Sequence, residues 1–302
     1  MKALAGFIMA GRWQAALVAA TTALLSLMLP PLLVFSGGAL VLPTLRVGPR
    51  AGALTLAATL GGTILLALPV FGTAGPWLGL TLLAFWLPLW LLAVQLRRSV
   101  SLAATLQLAA GLGMVGVLLI YALLGDPAQW WLGVMEAFGP SFQAAGLDIG
   151  QPAFRDYMVA VAPLMPGALM FSLLGYMVLA LLLGRWWQAQ LYNPGGFGQE
   201  FRELRLGRPA AAIAAGLFAL ATITGLPLLV NLALALALVY SIQGVALVHG
   251  VNRRAGLHRG WLVGFYVLLV LANVQILTLL CILGVVDAWV DFRARIKPKQ
   301  AP

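Results

Sequence analysis

What most limits the fold of this chain is where its charge lies. Lys, Arg, Asp and Glu collect at the ends of long apolar runs, and within the runs only Asp287 occurs. A water-soluble core cannot hide so much apolar surface, because charged side chains form most of a globule's solvent coat. Of the 302 residues, 9% are charged and 62% hydrophobic, against roughly 25% charged in an ordinary soluble domain. A soluble enzyme, a disordered chain and a secreted disulfide scaffold are thereby excluded. The expected fold is all-α: one polytopic transmembrane helical bundle over residues 1–302.

The apolar runs come as pairs, read against the ~20 residues a spanning helix needs. Trp13–Leu45 is broken by Pro30-Pro31, and Ala51–Leu96 turns at Gly72-Thr73-Ala74-Gly75-Pro76. Ser101–Leu124 and Leu164–Gly184 flank a polar interval. Pro209–Val248 turns at Thr224-Gly225-Leu226-Pro227, and Trp261–Trp289 is broken at Asn273-Val274-Gln275. Eight to ten spans follow, with ten favoured. The first and last pairs give limbs of about 15 residues, or ~22 Å of helix, short of a ~30 Å hydrocarbon core. These two hairpins therefore either thin the bilayer or stop part-way. Trp13, Trp77, Trp186, Trp187, Trp261 and Trp289 sit at span ends, where indole rings favour the headgroup level.

If every pair crosses and returns, 17 of the 18 basic residues fall on one side, from Lys2 and Arg12 through Arg259 to Lys297 and Lys299. Only Arg155 lies opposite, in an interval that also holds Asp126, Glu136, Asp148 and Asp156. The positive-inside rule then sets both termini in the cytoplasm. The net charge of +10 is thus an orientation signal, and no nucleic-acid motif accompanies it. Segment 1–12 reads as a cytoplasmic interfacial helix with Leu4, Phe7 and Ile8 on one face, too short an apolar stretch for a cleavable signal. Segment 125–163 reads as an outer-face amphipathic loop broken at Pro140 and Pro152, 185–208 as a cytoplasmic juxtamembrane loop, and 292–302 as a basic cytoplasmic tail.

The near-empty interior limits chemistry. Proton-coupled pumps need titrating groups at membrane depth, and membrane metalloproteases need histidine and acidic ligands on one helix face. The two histidines, His249 and His258, lie at or beyond a helix end, and the single Cys281 permits no intrachain disulfide. No catalytic residue, metal site or cofactor is expected.

Uncharged polar residues do occur at depth, among them Gln107, Asn231, Asn273 and Gln275. Each needs a partner in the bundle. Because broken membrane segments often line cavities, Asn231, Asn273 and Gln275 are the candidate ligand-binding residues. Small residues at four-residue spacing, such as Ala15 and Ala19, make a flat face for helix contact, either internal or with a partner. In the cytoplasmic motif, Asn193-Pro194-Gly195-Gly196 is a turn signal. Glu200–Leu206 after it suits a short amphipathic helix, with Arg202 and Arg205 meeting phospholipid phosphates. Asn193, Gly195, Gly196, Phe197, Glu200 and Phe201 are the candidate partner-docking residues there. Toward the C-terminus, Asp287 is expected to pair with an arginine of a neighbouring cytoplasmic loop, and Asp291 with Arg295 at i, i+4.

Several of these motifs together resemble a known family. The opening Ala3-Leu4-Ala5-Gly6-Phe7-Ile8-Met9 with Gly11-Arg12, the Tyr192-Asn193-Pro194-Gly195-Gly196-Phe197 stretch with Glu200-Phe201, Gln243-Gly244, and the closing Gly284, Asp287 and Asp291-Phe292-Arg293 are similar to the YybS-like bacterial inner-membrane proteins, a domain of unknown function. That family is in turn similar to substrate-binding subunits of energy-coupling-factor transporters, and more loosely to the rod-shape protein MreD. The resemblance implies a multi-pass protein of the bacterial inner membrane with a small-molecule site near the outer face. It also implies docking to a partner through small-residue faces such as Ala15/Ala19. The expected function is a small-molecule or lipid binding or transport subunit; the alternative is a non-enzymatic envelope assembly or scaffold protein. Its expected partners are membrane lipids and a membrane or cytoplasmic protein.

Overall fold

A computed structural model of the chain describes residues 1–144, 146, 151–258 and 260–296. Asp148, Arg259, Lys297 and Lys299, which entered the charge argument, lie outside the described residues, as does the end of the basic tail. The described residues are helical almost throughout and contain no strand. The helices are α1 (Lys2–Met9), α2 (Arg12–Leu25), α3 (Leu32–Arg46), α4 (Pro49–Phe71), α5 (Gly75–Ser99), α6 (Leu102–Leu124), α7 (Pro127–Ala144), α8 (Pro152–Val161), α9 (Met165–Tyr192), α10 (Gly196–Arg202), α11 (Arg208–Thr224), α12 (Pro227–Arg254), α13 (Gly260–Leu271), α14 (Asn273–Val290) and α15 (Phe292–Arg295). Among the described residues, five helical segments are long and apolar enough to cross a membrane: Pro49–Ser99, Leu102–Leu124, Pro152–Tyr192, Pro227–Arg254 and Asn273–Val290.

Proline and glycine set the boundaries. Pro49, Pro127, Pro152 and Pro227 open α4, α7, α8 and α12, where the first turn has no use for the missing N–H. Gly225 ends α11 at φ +63°, a left-handed position that glycine takes without steric cost. Ser101 caps α6, its hydroxyl accepting from the Ala104 amide at 3.2 Å. Pro140, expected to break the outer interval, instead sits inside α7.

Two parallel long helices, α9 and α12, form the centre. Gly167 lies against Asn231, and Gly175 against Leu238, so the two run in one direction at a constant offset. Each carries one terminal hairpin along its flank. On α9, Gly37 of α3 faces Ala180 and Val41 faces Gly184. This register sets Leu32 level with Gly175, ten residues into α9, so the α2–α3 hairpin turns roughly 15 Å short of the end where α9 begins. On α12, Ser241 donates to the Leu277 carbonyl at 3.0 Å and Gly244 meets Leu280. Gly284 meets Tyr240 on the same seam, so the mean offset sets Asn273 about level with Ala233, and the α13–α14 hairpin also stops short of the end where α12 begins. Pro30-Pro31 and Ala272 form the two tips.

The main core joins α3, α5, α6, α9, α12 and α14 around Trp86, Leu89, Leu106, Leu181 and Tyr240. Trp86 donates through its indole N–H to the Ser36 hydroxyl at 3.0 Å, both residues fully buried. A second cluster joins Ala5 and Ile8 of α1 to Ala15, Ala19, Ala39, Leu42 and Trp187. It corrects two expectations. α1 buries Ala5 and Ile8 and leaves Phe7 exposed. Trp187 lies inside the bundle beside Phe35, the space opposite it vacated by Gly38.

Basic side chains gather where α3, α5, α9 and α12 end, termed the basic end here. The Arg46 guanidinium lies 4.2 Å from the Tyr192 ring centroid, and Arg97 donates to the Leu45 carbonyl. Among the described residues Arg155, on α8, is the basic side chain placed at the other end.

Candidate functional site

The densest polar structure forms at the basic end around residues 203–208. Asn193 closes α9, Gly195 turns at φ +88°, and α10 follows from Gly196 rather than from Glu200. Arg185 of α9 pairs with Glu200 of α10 at 2.8 Å, closing this turn. Beyond Arg202 the helix cannot continue, because Leu204 and Leu206 are drawn into the bundle, each 3% exposed, while Arg205 between them points out. Alternate burial is what an extended segment produces.

A buried extended backbone must find partners for its own polar groups. The Leu206 N–H donates to Gln243 Oε1 at 2.8 Å, and its carbonyl accepts from Gln107 Nε2 at 2.7 Å. Gln243 Nε2 donates to the Gly284 carbonyl at 2.6 Å, so one amide ties the 203–208 segment to α14 across α12. The Leu204 carbonyl accepts from Arg293 Nη2 at 3.1 Å. Arg293 in turn forms a buried ion pair with Asp287 at 2.7 Å, with side chains 2% and 0% exposed. Asp287 also accepts from the Phe292 amide at 3.1 Å. Above this pair, Arg205 holds Asp291 through two bonds of 2.6 and 2.8 Å. Arg208 donates to the Ala288 carbonyl at 3.2 Å and Arg254 to the Arg293 carbonyl at 2.6 Å. We term this set the polar lock.

The partners differ from those expected. Asp287 takes Arg293 of its own segment, and the loop arginine Arg205 takes Asp291. The reason is local: α14 ends at Val290 and Asp291 sits at φ +46°, so helical spacing no longer relates Asp287, Asp291 and Arg295. Arg295 donates instead to the Val290 carbonyl at 3.0 Å. The electrostatics follow this pairing. The Arg205 guanidinium holds the Asp291 carboxyl below the usual carboxylate range. Burial lowers the Arg293 guanidinium, and Asp287 opposes that shift.

Three cavities surround the lock, and a fourth lies on α2 and α4. A slot of about 950 Å³ opens between α12, α13 and the C-terminal segment. Its walls are apolar (Leu247, Val251, Trp261, Phe265, Leu268 and Leu283), and Asn252, His258 and Arg295 stand among them. Asn252 Oδ1 is buried and has no hydrogen-bond partner. A groove of about 510 Å³ is lined by Trp186, Gly195, Phe197, Phe201 and Arg202, and is closed by His249 and Tyr266, hydrogen-bonded to each other at 2.7 Å. Phe197 and Phe201 stack at 5.8 Å. An arginine-lined basin of about 490 Å³ is the third. The α2/α4 groove, about 720 Å³, runs past Trp13, Ala16, Ala57 and Gly61.

The candidate residues read from sequence are dispersed. Asn231 is fully buried: Oδ1 accepts from the Gly167 amide at 2.8 Å, and Nδ2 donates to Tyr121 at 2.9 Å and to the Pro163 carbonyl at 2.8 Å. Every hydrogen-bonding group of that amide is occupied by the protein. Asn273 and Gln275 are exposed at the tip of the last hairpin, and none of the four cavities is lined by both hairpins. Ala15 and Ala19 face the chain's own α1 and α3, at 0% exposure. The open small-residue face is that of Ala57 and Gly61. Of the 193–201 motif, Gly195, Phe197 and Phe201 line the aromatic groove, Asn193 and Gly196 form its turn, and Glu200 pairs away from it. Gln243 and Arg293 had no assigned task in the sequence. An amide within an apolar run, and alternation at Leu204-Arg205-Leu206, were their available signals.

The Asn231 bonds give a direct expectation. Replacing Asn231 by leucine orphans the Gly167 amide and the Pro163 carbonyl, and is expected to cost about 2 kcal/mol. Unfolding in mixed detergent micelles measures it, with an unchanged midpoint refuting a structural role.

Among the described residues, no three His, Cys, Asp or Glu side chains are placed to hold a metal ion. Comparison of the chain with protein-family models, with curated proteins and with solved structures finds no match. The class the fold defines is an all-helical protein with, among the described residues, five segments long and apolar enough to cross a membrane, and the family resemblance rests on its motif residues alone.

Proposed function

We propose that this chain is a multi-pass protein of a bacterial inner membrane that binds a lipid-like amphiphile, as a binding or transport component rather than an enzyme. The gathering of basic side chains at one end supports a cytoplasmic placement of that end and of both termini. In this reading α4, α5, α6, α9, α11 and α12 cross the bilayer. The four limbs of the two terminal hairpins bring the membrane-embedded helices to ten. The hairpins enter from the cytoplasmic side and are shielded along α9 and α12.

The observation that carries the binding function is the slot beside α13. Its volume, about 950 Å³, falls in the range of small-molecule sites, roughly 300–1,000 Å³. Its apolar walls suit an acyl chain or similar body. The unpartnered Asn252 oxygen gives a polar group of the ligand a place to donate. No residue of α13 is buried, so the slot's outer wall is held loosely.

Gly264 lines the slot and has nothing within 4 Å of a Cβ placed on it. Gly264→Trp should fill the space without disturbing the fold. Native mass spectrometry of the purified full chain is expected to show a discrete bound amphiphile in the wild type, and at least tenfold less in the variant at equal thermal stability. Only bulk lipid, equal in both, would refute the proposal. The scaffold reading is favoured by the aromatic groove at Phe197 and Phe201. A photocrosslinker at Phe197 that captured one protein reproducibly in cells, with an empty slot, would replace the first reading by the second.

A further inference from the structure

The geometry points to a second site, on another face of α12 from the slot: the arginine basin binds a phosphate-bearing anion. Five arginines line it, Arg202, Arg205, Arg253, Arg254 and Arg293, with Glu203 among them. Two are neutralised by direct ion pairs, Arg205 by Asp291 and Arg293 by Asp287. Arg202, Arg253 and Arg254 have no carboxylate within ion-pair distance among the described residues, and Glu203 forms no ion pair there.

Three unneutralised guanidinium groups in one concave pocket repel one another, and water screens them less than it would on an open surface. Arg202 and Arg253–Arg254 lie in the last turns of α10 and α12, where a positive charge offsets the helix dipole. That accounts for one cation per helix end, but not for their convergence with Arg205 and Arg293 on a shared cavity. An anion with several acceptor oxygens does account for it, since guanidinium forks match phosphate geometry. An independent sign is Arg293 itself. Its side chain lines the basin at 2% exposure, yet Nε is buried against Gly250 without an acceptor.

The basin also has an apolar neighbour. Arg202 lines both the basin and the aromatic groove of Phe197 and Phe201. An acyl chain attached to a phosphate in the basin would have an apolar surface beside it. The shared chemistry is a phosphate ester, carried by a phospholipid headgroup or by a soluble molecule.

The test compares Arg202→Gln/Arg253→Gln with Arg50→Gln/Arg98→Gln, an equal loss of charge outside the basin. None of these four side chains makes a hydrogen bond or ion pair among the described residues, so the lock stays intact in both variants. One arm measures lipid retained by the full chain from nanodiscs of phosphatidylcholine with and without phosphatidylglycerol. The other titrates inorganic pyrophosphate in neutral detergent and follows the unfolding midpoint. The basin variant is expected to bind on the order of thirtyfold more weakly, at about fivefold per arginine, with the control near wild type. Retention of phosphatidylglycerol alone identifies a headgroup site; protection by pyrophosphate alone identifies a site for a soluble phosphate-bearing anion. Equal losses in the two variants, or no binding of either probe by the wild type, would overturn the inference.

Discussion

Replacing Arg293 by alanine should lower the stability of the folded bundle by about 3–5 kcal/mol, because it leaves Asp287 charged and buried without its partner. The pair has almost no contact with solvent. The same change removes the donor to the Leu204 carbonyl and so releases the 203–208 segment that Gln243 and Gln107 hold from the other side. Unfolding in mixed micelles measures the loss. Two companions sharpen the result. Arg205→Ala breaks the outer pair with Asp291, whose side chains are 44% and 38% exposed, and should cost under about 1 kcal/mol. Asp287→Leu with Arg293→Met removes both buried charges and should recover most of the loss, since apolar replacement of a whole buried pair is often neutral. Equal effects of Arg293→Ala and Arg205→Ala would mean that the buried pair is not what closes the lock.

Valine at Gly284 is expected to separate the last hairpin from α12, at a cost of about 3 kcal/mol. A Cβ at Gly284 runs into the Tyr240 carbonyl, and one at Gly244 runs into the Leu280 carbonyl. The two helices therefore touch backbone to backbone, and no side-chain rotation relieves the clash. Overpacking of a close contact commonly costs 1–3 kcal/mol. To this is added the Gln243 bond to the Gly284 carbonyl, which depends on the same approach. Cys281, the chain's single cysteine, offers a local readout because it is buried one helical turn from Gly284. It should react slowly with a maleimide in the wild type and quickly in Gly284→Val. Slow labelling with an unchanged midpoint would show that the hairpin tolerates the wider spacing.

Much of the fold was legible because its signals are local. Turn chemistry at Gly72–Pro76, Thr224–Pro227 and Asn193–Gly196 marks helix ends without reference to anything distant, and the structure turns at each. Charge placement separates the two ends for the same reason. The candidate site was less legible, because its content is pairing. Asp287 and Asp291 look equivalent in a helical projection until the helix stops at Val290 and sends them to different arginines. Gln243 resembles any buried amide until the packing of α12 against α14 and the loop gives it two partners. Asn231 and Asn273 lie in similar apolar settings in the sequence. One is saturated between helices and the other is exposed at a hairpin tip. Helices this uniformly apolar carry too weak a periodicity to say which face is turned inward.

Both hairpins turn short of the far end, which shapes the outline of the protein in the proposed membrane placement. Near the basic end the bundle includes all four hairpin limbs, while beyond the tips at Pro30-Pro31 and Ala272 those limbs are missing. In that placement, the spanning cross-section would be smaller at the far end than at the basic end. At that far end α7 and the 162–164 turn, rather than the hairpins, accompany the starts of α9 and α12. So placed, a tapered spanning section would relieve stress where a membrane bends toward its narrow side, coupling local curvature to the protein's local concentration.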